Sequence, residues 1–136
     1  MRAVLTVWGM LGAALLATGA AAGSDPLAAH RWRTRVLVLS APGAGDAGLR
    51  AQRAALASVR GGLGERDLVV IEAVGPGAEA AALRARLGLP ADAFRAVLVG
   101  KDGGAKLTAD APIPPQRLFA TIDAMPMRRD EMRGNR

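Results

Sequence analysis

The chain has no cysteine in its 136 residues. That excludes thiolate nucleophiles, thiol–disulfide exchange, thiolate metal sites and lipidation at a cysteine. No disulfide braces the fold in any compartment. Aromatic residues are scarce, at 3% of the chain. Beyond Ala22 they are Trp32, Phe94 and Phe119, too few to form the stacked platform on which single-stranded nucleic acid lies. Lysine is almost missing. Lys101 and Lys106 are the only ones, so the formal net charge of +6 rests on arginine. Arginines recur along expected helix faces (Arg50, Arg53 and Arg60, then Arg84 and Arg86), as on a solvated surface. Weak attraction to anionic surfaces follows, but no nucleic-acid partner.

The single long apolar run is at the start. Met1 and Arg2 lead into an uncharged stretch from Ala3 to Ala17, small residues follow from Gly19 to Gly23, and the first acid is Asp25. This is the three-part pattern of a secretory leader. Ala20 and Ala22 occupy the small-residue positions, so residues 1–22 are expected to be a signal peptide cleaved after Ala22, leaving a periplasmic or secreted protein. A leader kept in place would be long enough to anchor the chain, since a spanning helix needs about 20 apolar residues. Membrane association is expected only in that case. What remains is the size of one ordinary domain with room for a real core.

Residues 23–34 read as a lead-in holding the only histidine, His30, and Trp32. Arg35–Ser40 is a β-branched and leucine run, the pattern of a strand buried on both faces. Asp46 is placed to cap a helix that runs to Gly61-Gly62, with Leu49, Leu56, Val59 and Leu63 as its apolar stripe. Asp67–Ala73 predicts a second buried strand and Ala78–Leu87 a short helix closed by Gly88 and Pro90. Arg95–Gly100 predicts the third strand. Asp102-Gly103 marks a hairpin turn that pairs Ala105–Thr108 with it. Pro112, Pro114 and Pro115 open a last helix with Leu118, Phe119, Ile122 and Met125 on its apolar face, and Pro126 stops it. The order is β-α-β-α-β-β-α. Helices between the first three strands imply parallel crossovers, and the closing hairpin then supplies the one reversed strand. The fold class is α/β: a thioredoxin-like, mixed four-stranded sheet with helices on both faces over residues 35–127, followed by a charged tail, 128–136.

Five pieces of sequence carry a resemblance: Trp32, the Arg35–Ser40 strand, Glu65-Arg66-Asp67, Gly100-Lys101-Asp102-Gly103, and Met125-Pro126-Met127-Arg128 with Glu131-Met132. With them the chain resembles, across roughly residues 25–133, a bacterial domain-of-unknown-function family similar to domains of extracellular sushi-repeat and matrix-associated proteins. The resemblance implies an exported thioredoxin-like or peroxiredoxin-like fold with no settled activity. Where redox relatives carry the reactive cysteine, this chain reads Ser40-Ala41-Pro42-Gly43-Ala44-Gly45-Asp46, so their thiol chemistry does not transfer.

Several constellations invite a site. Gly43, Gly45 and Gly48 match the spacing of a dinucleotide-binding loop, with Glu72 further on, but Asp46 sets a negative charge where the pyrophosphate would sit. Met125, Met127 and Met132 suit copper(I), yet Met125 already belongs to the helix stripe. Ser40 with His30 lacks the turn a nucleophile needs. No cofactor, metal or catalytic residue is assigned. The residues expected to meet a ligand or partner are Gln52 and Arg53, which interrupt the first helix's buried face, Lys101, Asp102 and Lys106 around the hairpin, and Arg128 in the tail. The tail itself is expected to dock through Met127 and Met132. The chain is read as a non-thiol binding module for an unknown protein or small ligand of the cell envelope. An envelope enzyme using the loop 41–48, or a membrane-anchored structural module, are the other two readings.

Overall fold

The structure, a computed structural model, describes residues 24–134, so the expected leader lies outside the described residues. A 3-10 turn, Ala28–His30, precedes strand β1 (Arg35–Ala41). Then follow α1 (Ala47–Ala57), α2 (Arg60–Glu65), β2 (Leu68–Val74), α3 (Ala78–Leu87), β3 (Arg95–Val99), β4 (Ala105–Ala109), α4 (Pro115–Asp123) and α5 (Pro126–Gly134). The strands form one open mixed sheet in the order β2-β1-β3-β4. β1, buried along its whole length, is one of the two central strands, as its unbroken apolar run requires.

Its side chains alternate between two cores. Leu37 and Leu39 point to one face, where Leu49 and Leu56 of α1 meet Leu118 and Ile122 of α4. Val36 and Val38 point to the other, against Ala80 and Leu83 of α3 and Leu27 of the lead-in. Helices therefore cover both faces, and each buried leucine contributes about 1.5–3 kcal/mol.

Strand direction departs from the expectation. β1 and β2 are parallel, from Arg35 opposite Leu68 to Ala41 opposite Val74. β3 runs antiparallel to both β1 and β4, so the reversed strand is β3 and the second crossover is not parallel. Arg95 starts β3 opposite Ser40, at the end of the sheet where β2 stops. α3 and residues 88–94 thus carry the chain out and back to the same end. An apolar run specifies a buried strand but not its direction. β2 also differs: it is an edge strand of alternating burial, with Val70 and Glu72 exposed.

The helix boundaries shift for local reasons. Asp46 caps α1, its side chain accepting from the Leu49 N–H at 3.0 Å. The helix then breaks at Val59 (φ −130°), and Gly61-Gly62 lie inside α2 rather than closing α1. Gly62 is required by close approach, because a Cβ there would stand 2.7 Å from the Phe119 ring. Pro126, expected only as a stop, also opens α5. Proline suits a first helical turn, where its missing N–H would have had no partner. Residues 128–134 of the expected charged tail are therefore helical.

Arg84 of α3 ties the sheet's carboxyl ends together. Its buried guanidinium donates to Ser40 Oγ at 3.0 Å and to the carbonyls of Ala41, Ala73 and Gly75 at 2.8–3.0 Å. Among the described residues no helix is long and apolar enough to cross a membrane.

Two of the three α2 glycines, Gly61 and Gly62, should respond oppositely to alanine. Gly61 has nothing within 4 Å of its Cβ position, so Gly61→Ala should stabilise by roughly 0.5–1 kcal/mol through helix propensity. Gly62→Ala should instead destabilise by about 1–3 kcal/mol by driving a methyl group into Phe119. Urea unfolding of both variants measures this; a stabilising Gly62→Ala would refute the packing account.

Candidate functional site

The β3–β4 hairpin, the lead-in and the α4–α5 junction enclose an open cleft of about 560 Å³. The hairpin forms as the Asp-Gly signal requires. Gly103 takes a left-handed φ of +88°, Asp102 Oδ1 accepts from Gly104 N–H at 3.0 Å, and Lys106 Nζ donates to Asp102 Oδ2 at 2.8 Å. Met125 and Met127 flank Pro126 and supply one wall; Trp32 supplies apolar surface from the lead-in. Trp32 is 59% exposed, yet its backbone is held at φ 65°, with its N–H donating to the Lys101 carbonyl at 2.6 Å. The Arg31 guanidinium stands 5.1 Å from the Trp32 ring centroid, a cation–π distance.

Beneath the cleft lies a network of charges. Arg35, at the head of β1, is 1% exposed and donates from Nη1 and Nη2 to both carboxylate oxygens of Glu131 on α5, at 3.1 and 3.0 Å. Its Nη1 also reaches the Arg66 carbonyl at 2.8 Å. Lys101 Nζ bridges Glu131 at 2.8 Å and Asp67 at 2.9 Å. Arg128, 2% exposed, donates to Asp123 at 3.0 Å and Glu65 at 3.1 Å. Arg66 donates to both carboxylate oxygens of Asp123, at 3.0 and 2.9 Å, and lies 4.0 Å from the Phe119 ring centroid. α5 is thus pinned by Arg128 and Glu131. Met127, expected to dock it, is exposed in the cleft wall, and Met132 is only partly covered.

These pairings move the titrations. Burial pushes the Glu131 carboxyl up, but Arg35 and Lys101 outweigh it and hold the group below its ordinary value. Arg66 holds Asp123 low against an opposing effect of burial, with Arg128 adding to it. Burial would lower the Lys101 ammonium; its hydrogen bonds to Glu131 and Asp67 prevail and raise it.

The sequence-selected residues are dispersed. Lys101, Asp102 and Lys106 come together on the cleft. Arg128 lies behind it in the network, its Nη1 3.9 Å from Glu131. Gln52 is fully buried in a reciprocal pair with Ile113, Nε2 donating to the carbonyl at 3.0 Å and Oε1 accepting from the N–H at 2.7 Å. It anchors the β4–α4 connection. Arg53 lies on an exposed hollow beside β2, with Nε donating to Glu72 at 2.7 Å. In the glycine loop, Asp46 is spent on the α1 cap, and a Cβ on Gly48 would meet Phe94 at 2.8 Å. Ser40 is buried under Arg84, and His30 Nδ1 pairs with Thr34 Oγ1 at 2.9 Å. Sequence reasoning passed over Arg35 and Asp123. The signal for Arg35 was a charged residue opening an otherwise apolar strand.

Residues 26–131 match the profile of a family described as Domain of unknown function (DUF4174). The chain belongs to this family. It is also 33% identical over 114 residues to the sushi repeat-containing protein SRPX of Rattus norvegicus and to that of Homo sapiens, and 32% identical to that of Mus musculus. Each match covers 74% of this chain and 25% of the relative, so the chain spans about a quarter of the length of these curated relatives. No solved structure matches it.

For a DUF4174 domain built on this network, stability should fall in acid. The folded-state values of Glu131 and Asp123 lie below their ordinary ones, so the stability they contribute is complete above the unfolded carboxylate range, about pH 4–4.5, and is lost as pH falls through and below it. Thermal midpoints should drop steeply between about pH 5 and pH 3. Glu131→Gln should cost about 2–4 kcal/mol at pH 7, because it leaves buried Arg35 without its counter-charge, and should flatten the acid slope. A slope as steep as the parent's would show that Glu131 is not the linked group.

Proposed function

We propose that the chain is an exported, cysteine-free, thioredoxin-like domain that acts by binding, holding a ligand or partner of the cell envelope in the cleft walled by Trp32, Met125 and Met127. The observation that carries this reading is Trp32. A left-handed backbone costs a non-glycine residue about 1–3 kcal/mol. Here that cost accompanies a large apolar ring kept in solvent beside two methionines. A ring placed so is suited to contact with something outside the chain.

Two further points support parts of the reading. The strand order, with β3 alone running against the other three, agrees with a thioredoxin-like sheet and its one reversed strand. The matched segment makes up a quarter of longer sushi repeat-containing relatives, as expected of a unit used among others. Export rests on the leader pattern. The enzymatic reading of the loop 41–48 gains nothing from the geometry, since Ser40, Asp46 and Gly48 are each engaged in packing or capping.

Site-specific photo-crosslinking tests the proposal in the intact envelope. A photoreactive residue at Trp32 should give a discrete adduct, which Met127→Glu abolishes; the same residue at exposed Arg50 on α1 should give none. Equal adducts at both positions, or none at Trp32, would count against binding in the cleft.

A further inference from the structure

The two edges of the sheet are finished differently. β4 is short, carries Lys106, and is paired irregularly with β3 at Leu98 and Val99, features that discourage a further strand. β2 has none of them. It is apolar except for Glu72, and its pairing with β1 runs without interruption. Two bonds fix which way its backbone faces. The Arg35 N–H donates to the Asp67 carbonyl at 2.8 Å, and the Gly75 N–H donates to the Ala41 carbonyl at 3.2 Å. Alternation along the strand then turns the N–H and C=O groups of Val69, Ile71 and Ala73 toward β1. Those of Leu68, Val70 and Glu72 point outward, where no strand pairs with them among the described residues.

Val70 adds an apolar seat to this open edge. It is 37% exposed, and with Leu56, Ala57 and Leu63 it lines an open hollow of about 530 Å³. A strand residue set opposite Val70 would have its side chain on the same face, beside the hollow. Residues two positions to either side of it share that face. The rim carries Arg53 and Arg60. Arg53 is bonded to Glu72, whereas Arg60 has no ion-pair partner among the described residues. Two arginines against one glutamate leave the rim positive. That charge disfavours a second copy of the chain, which would bring the same arginines to it, and favours a partner with carboxylates.

We propose that the outer edge of β2 takes up an extended acidic segment of another protein as a fifth strand. An apolar side chain of the segment enters the hollow beside Val70, and a carboxylate two residues along meets Arg60. Main-chain hydrogen bonds to Val70 and Glu72 hold the segment, and the hollow and its rim select it. This surface shares no lining residue with the Trp32 cleft, so the inference does not rest on the binding reading above.

Two fluorescently labelled peptides serve as probes on the protein as isolated from its cells. One is Thr-Asp-Thr-Ile-Thr-Asp-Thr, and the other has lysine in place of both aspartates. The acidic peptide should raise the anisotropy saturably and bind more tightly than the lysine peptide. On its addition the amides of Val70 and Glu72 should gain protection from hydrogen exchange, while those of Val69 and Ile71, already bonded to β1, stay as they were. Serine in place of the peptide's isoleucine, or Val70→Asn in the protein, should weaken binding by about tenfold, with the protein's circular dichroism unchanged. Arg60→Glu should make the lysine peptide the better ligand. Equal binding of the two peptides, an unchanged order with Arg60→Glu, no saturation, or protection absent from Val70 and Glu72 would each overturn the inference. Parent dimers in sedimentation that Val70→Asn dissolves would give the edge to a second copy and overturn it too. Loss of the Trp32 adduct would remove the cleft reading and leave this one standing.

Discussion

Arg35 opens the central strand and has its guanidinium inside the protein, so the fold must bring a carboxylate to it. Glu131, from nearly the other end of the described chain, does so through two parallel hydrogen bonds. A buried arginine without that partner would leave an uncompensated charge, which is far more costly than never having built the pair. The position of α5 follows from this requirement. Because Arg128 on the same helix pairs with Asp123 and Glu65, α5 is held against the junctions before β2 and after α4 at once. A helix with a largely polar sequence is thereby fixed with little apolar burial of its own.

Fixing α5 in turn makes the cleft. Pro126 turns the chain between α4 and α5, and the two methionines beside it form a wall opposite the hairpin. Lys101 belongs to both structures: its ammonium joins the network, and its carbonyl receives the Trp32 N–H that holds the lead-in in its left-handed turn. Lys101 thus links Glu131 to the turn that holds Trp32.

The segments that carry the family resemblance converge here. Trp32, Arg35, Glu65-Arg66-Asp67, Lys101 and the Met125–Glu131 stretch are scattered over a hundred positions, yet all line the cleft or supply the network behind it. The loop after β1 leads into a capped helix start with a glycine packed on Phe94. Membership in DUF4174 and the cleft geometry thus direct attention to the hairpin end of the sheet, away from the loop after β1.

By itself the sequence determined the α/β class, the four strands and their order along the chain, the Asp-Gly hairpin and the absence of thiol chemistry. Each of these follows from local rules: periodicity, turn residues and composition. Tertiary structure alone decided that β3 is the reversed strand, that Gln52 serves the β4–α4 connection, and that the tail docks through Arg128 and Glu131 rather than through Met127 and Met132. These depend on partners distant in the chain, such as Ile113 for Gln52 and Arg35 for Glu131. A side chain's polarity says that it needs a partner, and only the folded chain says which one it receives.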